Sequence, residues 1–263
     1  MTTVFEGKRI ILGVTGSIAA YKAVDLASKL TQHGAWVDVL MTDSAQRFVT
    51  PLAFQSVTGR AAYTDLWQSA SGGALPTHIA HVGLGEGADV FAVIPATANT
   101  IAKLAAGLAD DLISVTALAA RCPVVFAPVM DGGMYAHAAT QANVQTLVQR
   151  GAYLIEPEHG RFASGLEGKG RMPEVPTLMG HLRLVLAREG ALRGRHVVVT
   201  AGGTREAIDP VRFVSNHSSG KQGYAVAQAA LDAGASVTLI STVEALPVPI
   251  GARFVPVASA QQM

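Results

Sequence analysis

The chain has 263 residues, of which 49% are apolar and 15% charged, with a net charge of +1 at pH 7. This core-rich composition excludes intrinsic disorder and leaves no global electrostatic case for nucleic acid or an anionic membrane surface. One cysteine, Cys122, excludes an internal disulfide framework. No apolar run approaches the ~20 residues of a membrane helix. The opening MTTVFEGKRIILGVTG is not a signal peptide, because its short apolar run leads straight into a glycine turn. The expected address is therefore cytoplasmic.

Residues 8–14 (KRIILGV) form an Ile- and Val-rich run that reads as a buried strand. Thr15, Gly16 and Ser17 make a turn, apolar spacing predicts a helix over 18–33, and Gly34 stops it. Residues 36–41 (WVDVLM) read as a second strand, so the chain opens as βαβ with a parallel sheet buried on both faces. Residues 89–94 (DVFAVI) and 123–127 (PVVFA) are further buried strands, ending at Pro95 and Pro128. Helices are predicted over 99–108, 111–120, 140–150 and 177–188, with a short strand at 153–155. Residues 159–173 read as glycine-rich and irregular. After a basic, glycine-containing linker the pattern restarts with a strand at 196–200, a helix at 219–233 and a strand at 236–240. A second nucleotide-type α/β domain therefore begins near Arg195. The 69 residues from there to Met263 hold about one βαβ unit, which predicts that this domain is incomplete in the chain.

In open α/β sheets ligands bind beyond the C-terminal strand ends, and four segments fall there. The turn at 14–22 (VTGSIAAYK) offers a helix start to a phosphate, although such a turn alone is equally often just a turn. Residues 95–100 (PATANT) put Thr97, Asn99 and Thr100 at a strand end, where Thr97 or Asn99 could equally be a helix cap. At 128–135 (PVMDGGMY), Asp131 and two glycines stand over the same crevice or simply make a tight turn. Residues 160–172 (GRFASGLEGKGRM) read as a lid. His78 and His81 are candidate bases. His-x-x-His also suggests a metal, but no Cys, Asp or Glu cluster completes such a site. Cys122, ahead of a buried strand, reads as a small apolar residue.

At these residues the chain resembles the bifunctional coenzyme A biosynthesis flavoproteins, in which phosphopantothenoylcysteine decarboxylase is joined to phosphopantothenate–cysteine ligase. GSIAAYK at 16–22 matches the family's flavin-phosphate turn, and PATANTIAKLAAGLADDL at 95–112 its long flavin segment. His81-Val82-Gly83-Leu84 matches its His-Ile-x-Leu element, leaving His78 outside the motif. TREAIDPVRFVSNHSSGKQG at 204–223 matches the ligase signature. The resemblance implies a flavodoxin-like, doubly wound parallel-sheet flavoprotein domain over 1–189. The N-terminal part of a Rossmann-like ligase domain follows over 195–263.

The implied cofactor is FMN, held by Gly16, Ser17, Ile18, Thr42, Pro95, Ala96, Thr97, Asn99 and Met130. The implied substrate is 4′-phosphopantothenoyl-L-cysteine, decarboxylated to 4′-phosphopantetheine through flavin-assisted oxidation of its cysteinyl group, with no net redox change. His81, Asp131 and Ser164 fall on the catalytic positions. Met134, Gly165, Gly168, Gly170, Arg171 and Met172 fall on the substrate side. Gly203, Asn216, Ser218, Ser219, Gly220 and Lys221 fall on the ligase's site for CTP, phosphopantothenate and Mg2+. The later Ala-Asp and lysine-bearing ligase segments are not in this chain, so it is not expected to ligate. The family also implies a homo-oligomer built on trimers.

Two positions depart from the family pattern. Pro128-Val129-Met130-Asp131 replaces Pro-Ala-Met-Asn, and an ionised Asp cannot donate to a substrate carboxylate as Asn does. Ala163-Ser164-Gly165 replaces Ala-Cys-Gly, and a hydroxyl is a far weaker acid than a thiol with its pKa near ~8.5. Both fall on catalytic positions, so a flavin-binding regulatory or assembly protein without turnover is the competing expectation. A peptidyl-cysteine decarboxylase is a third, disfavoured by the ligase signature around Asn216.

Overall fold

The computed structural model describes residues 4–66, 80–162 and 165–263; the side chains of Ala80, His81 and Val82 are also outside that description. The chain divides into two compact units, Met1–Met179 and Gly180–Met263.

In the first unit β1 (Arg9–Val14) leads into α1 (Ala20–Gln32) and β2 (Trp36–Met41). Helix α1 buries Ala20, Ala23, Leu26, Ala27 and Leu30, the one-face spacing that the sequence shows. A 3-10 turn at Ala45–Arg47 and α2 (Pro51–Thr58) follow, with Pro51 at the first helical position and Gly59 closing the helix at φ +69°. The sequence reading missed α2 because its eight residues carry no strong apolar face. After α3 (Ala80–Glu86) come β3 (Val90–Ala96), α4 (Ala98–Ala106), α5 (Leu112–Ala119), β4 (Val124–Pro128), α6 (Gly132–Ala136), α7 (Ala138–Gln149) and β5 (Tyr153–Leu154). The five strands are parallel and ordered β2-β1-β3-β4-β5. Every residue of β3 is buried, as expected of a strand covered on both faces. One core packs Ile11, Phe91, Val93 and Phe126 of the sheet against Ile101, Leu112, Ile113 and Leu147 of the helices.

Two local readings change. Strands β3 and β4 do not stop before their prolines. Proline lacks an N–H but keeps its carbonyl, and Pro95 O accepts from Thr15 Oγ1 at 2.8 Å. The register slips here: Val93 pairs with Phe126, but Ala96 with Pro128. This one-residue bulge turns the backbone at the strand end. The glycine-rich stretch 159–173 is also not irregular. It holds an antiparallel hairpin, β6 (Glu158–Arg161) with β7 (Glu167–Arg171), followed by α8 (Val175–Leu186).

The second unit holds β8 (His196–Ala201), a small β9–β10 hairpin (Glu206–Ala207 with Phe213–Val214), α9 (Lys221–Asp232), β11 (Ser236–Ser241) and β12 (Ala252–Pro256). Its sheet is parallel with order β12-β11-β8, the 3-2-1 half of a Rossmann sheet. Gly223 lets α9 lie close on β8, since a Cβ there would fall 2.5 Å from Ala201 Cβ. The sequence reading expects the first domain to end at residue 189, whereas the compact units divide at Met179 and Gly180. Gly180 is packed against Ile250, and Leu184 joins the core of the second unit, so the end of α8 groups with that unit.

Candidate active site

The strand order reverses between β1 and β3, and the crevice above that point is where a flavodoxin-like sheet holds its ligand. A cavity of about 1230 Å³ opens there. Gly16, Ser17 and Ile18 line it from the β1–α1 turn, Thr42 and Ser44 from the end of β2, and Thr97, Asn99 and Thr100 from the start of α4. Met130 and Met134 close it from the β4–α6 side.

The turn is built to a tight tolerance. A Cβ on Gly16 would sit 2.4 Å from Ser44 Cβ, so only glycine lets the first turn lie against the second. Thr15, 1% exposed, ties this turn to the next strand: its Oγ1 donates to Pro95 O and accepts from Thr97 N at 3.0 Å. Neither α1 nor α4 has its N-terminus capped by a side chain. Thr97 occupies the cap position of α4 without making the cap bond, and Asn99 lies in the first turn. Two helix starts with their positive dipole ends therefore face one cavity.

Pro95 and Ala96 do not line the cavity. They are buried at the end of β3 and hold it in place, with Ala96 O accepting from Val129 N at 3.0 Å. Lys103, Asp110 and Asp111 reach the same cavity, although the sequence reading did not single them out. Lys103 Nζ bonds both carboxylates at 2.8 Å, and those two bonds raise its pKa above the ordinary lysine value. Asp111 also caps α5, accepting from Ser114 N at 2.8 Å while Ser114 Oγ accepts from Asp111 N at 3.1 Å. The D-D-L-I-S spacing, Asp111 followed three residues on by Ser114 ahead of an apolar run, is the signal that could have found it.

Burial alone would raise the Asp111 carboxyl. The bonds from Lys103 and from Ser114 outweigh it and hold the group below the usual carboxylate range. A lowered folded-state pKa adds stability above the unfolded value of ~3.9, and that stability is lost as pH falls toward the folded value. Asp111→Asn keeps a capping residue and removes the charge. At pH 7 it is expected to destabilise the fold by about 1 kcal/mol. The deficit should shrink progressively as pH falls below about 4, in urea melts followed across pH. A deficit independent of pH would refute the electrostatic role.

A second cavity, about 340 Å³, shares Ser17, Ile18, Val129 and Met130 with the first. Its other walls include Tyr21, Lys22, Asp131, Arg161, Phe162, Arg171 and Met172. The β6–β7 hairpin forms one side. Met130 N donates to Gly170 O at 3.1 Å, and a Cβ on Gly170 would stand 2.2 Å from Met130 O. Phe162 packs over Gly132 and Gly168, where a Cβ would meet its ring at 3.2 Å in both cases. The glycines of the hairpin are thus the condition for docking it on the β4–α6 turn. Asp131 caps α6, its Oδ1 accepting from Gly133 N at 3.1 Å. Lys22, 7% exposed, anchors the end of the hairpin through Met172 O at 3.3 Å and Glu174 Oε1 at 2.8 Å, and Arg171 bonds the same Glu174 oxygen at 2.7 Å. Gly165 takes φ +86° at the hairpin tip. His81 lies on α3 with its side chain outside the described residues; Ser164 and His78 are wholly outside them. Cys122 is half-buried, and burial pushes its thiol up, the environment of a packing residue.

In the second unit a cavity of about 650 Å³ lies over β8 and the start of α9, lined by Gly202, Ser218, Ser219, Gly220 and Lys221 among others. Asn216 faces Gly203 so closely that a Cβ there would overlap its Oδ1. Gly220 caps α9 at φ +73°.

Comparison with known proteins gives two family matches. Residues 2–185 match the Flavoprotein family, and residues 192–263 match the DNA/pantothenate metabolism flavoprotein C-terminal domain. The chain is 48% identical over 261 residues to the coenzyme A biosynthesis bifunctional protein CoaBC of Bacillus subtilis, covering 98% of this chain and 63% of that protein. Against the protein of the same name from Mycobacterium tuberculosis it is 49% identical, covering 97% and 61%. The chain thus spans less than two thirds of the length of these relatives. Among solved structures it resembles the FMN-dependent cysteine decarboxylase SpaF, with 35% identity, TM-score 0.56, and 66% of this chain and 95% of that one covered. A PPC decarboxylase variant complexed with pantothenoylaminoethenethiol is 30% identical, with TM-score 0.60 and coverage of 68% and 98%.

Proposed function

The chain belongs to the Flavoprotein family, and from that premise we propose that it is an FMN-dependent decarboxylase of 4′-phosphopantothenoyl-L-cysteine in coenzyme A biosynthesis. One observation carries this reading: the large cavity at the β1/β3 switch point runs into a smaller one roofed by the glycine hairpin. The larger cavity fits a flavin nucleotide. Its volume exceeds the ~300 to 1,000 Å³ of ordinary ligand pockets, two uncapped helix starts face it, and Gly16 is pared to the backbone where a phosphate would approach. Ser17, Ile18, Thr42, Thr97, Asn99 and Met130 would hold FMN. Bound there, it supplies reversible two-electron oxidation of the cysteinyl group.

The rest of the work falls to the protein. Overall the substrate takes up one proton and releases CO2. The hairpin, docked through Met130 and Gly170, covers the smaller cavity and excludes water from the reacting carbon. Arg171 and Met172 fix the hairpin's end, and Met134 stands at the mouth of the larger cavity. An imidazole nitrogen of His81 is the proton acceptor, and the Ser164 hydroxyl stands in for the family's thiol as a hydrogen-bonding group. Residues 1–189 carry this activity. Residues 195–263 carry the Asn216 and Ser218–Lys221 turn suited to CTP, Mg2+ and phosphopantothenate, as one part of a ligase domain.

The test is direct. The purified chain should be yellow, release FMN and no FAD on denaturation, and form one 4′-phosphopantetheine per CO2. A flavin-loaded chain that gives no product would refute the decarboxylase and leave the non-catalytic flavoprotein. Turnover of C-terminal cysteinyl peptides in place of this substrate would favour a peptidyl-cysteine decarboxylase.

A further inference from the structure

Asp131 presents a chemical problem on its own cavity. A carboxylate accepts hydrogen bonds and repels the carboxylate that the substrate must bring to the same space. Something there must donate. Three cations line this cavity: Lys22, Arg161 and Arg171. Lys22 is held by Met172 O and Glu174, and Arg171 by Glu174. The side chain of Arg161, exposed at the end of β6, makes no hydrogen bond or ion pair among the described residues. It shares the cavity wall with Asp131 and with Phe162, which packs over Gly132 beside Asp131. Its planar fork of N–H groups suits a carboxylate.

We propose that Arg161 is a specificity-determining residue that binds the substrate's carboxylate, supplying the donor that Asp131 cannot. The proposal rests on the decarboxylase reading above. The Asp131 carboxylate on the same wall balances the charge of the guanidinium once CO2 has left, so Arg161 selects substrate over product. The interaction holds the bound substrate by its carboxylate until the carbon–carbon bond breaks, a uniform contribution to binding. It therefore shows in KM more than in kcat.

The experiment uses the flavin-loaded full chain with 4′-phosphopantothenoyl-L-cysteine as substrate and 4′-phosphopantetheine as a product inhibitor, which keeps the phosphate and lacks the carboxylate. Arg161→Met should raise KM about tenfold, with kcat and the product's inhibition constant changed less than about twofold. Arg161→Lys should fall between the parent and Arg161→Met, because it keeps the charge and loses the fork. Adding Asp131→Asn to Arg161→Met should recover most of the lost affinity, because Asn donates. Equal weakening of substrate and product would mean that Arg161 binds the phosphate, and would overturn the proposal. So would no change in either constant. A parent chain without turnover refutes the function instead. Calorimetric titration with the same two compounds then still tests Arg161, and loss of substrate selectivity in Arg161→Met supports it while its persistence, or no binding by the parent, overturns it.

Discussion

Gly16→Ala is expected to bind FMN about ten- to a hundredfold more weakly than the parent chain and to purify largely colourless. The reason is room rather than backbone dihedral. The new Cβ would lie 2.4 Å from Ser44 Cβ, 3.1 Å from its carbonyl carbon and 3.3 Å from its Cα. Those atoms are backbone or one bond from it, so no side-chain rotation relieves the contact. Either the β1–α1 turn or the segment after β2 must move, and both line the large cavity. Removing the other Cβ should cure the defect. Gly16→Ala combined with Ser44→Gly leaves only the two longer contacts, and fluorescence titration should show most of the FMN affinity restored. A double variant as weak as the single one would mean that the glycine serves another purpose.

On the proposed decarboxylase reading, Gly170→Ala is expected to lower kcat/KM for 4′-phosphopantothenoyl-L-cysteine by about a hundredfold, at nearly unchanged flavin affinity. Here the obstacle is a backbone carbonyl, Met130 O at 2.2 Å, beside the bond from Met130 N to Gly170 O. The hairpin must lift from the β4–α6 turn, and the smaller cavity loses a wall. The first turn and the start of α4 make no part of that contact, so FMN titration should move by less than about threefold. No counterpart of Ser44→Gly exists, since a carbonyl cannot be trimmed. Loss of flavin in parallel with activity would show that the hairpin supports the larger cavity as well.

These two glycines illustrate how unevenly the sequence reveals the site. The turn at Gly16 was legible because a buried apolar strand, a glycine and an amphipathic helix follow one another within a few residues. PATANT was legible for the same reason, since polar residues directly after an all-apolar strand must stand at its end. The hairpin was not. Residues 159–173 lack the apolar alternation of a half-buried strand, because what docks them is glycine against backbone and Phe162 against Gly132, contacts with no period in sequence. Lys103 was invisible on its own, looking like one of many solvated helix cations until Asp110 and Asp111 are brought opposite it.

By itself the sequence determined the parallel, doubly wound architecture of the first unit, the restart of a nucleotide-type fold near Arg195, and the segments from which a site could be drawn. It could do so because strand burial and helix amphipathicity are local, periodic properties. Only the tertiary structure decided which of those segments meet. The reversal of strand order between β1 and β3 puts the Gly16 turn and α4 over one cavity. The bulge at Val93–Ala96 with Thr15 aligns them, and the docked hairpin places Arg161 on the same wall as Asp131. Such meetings are set by register and close packing between distant parts of the chain, which no single stretch of residues records.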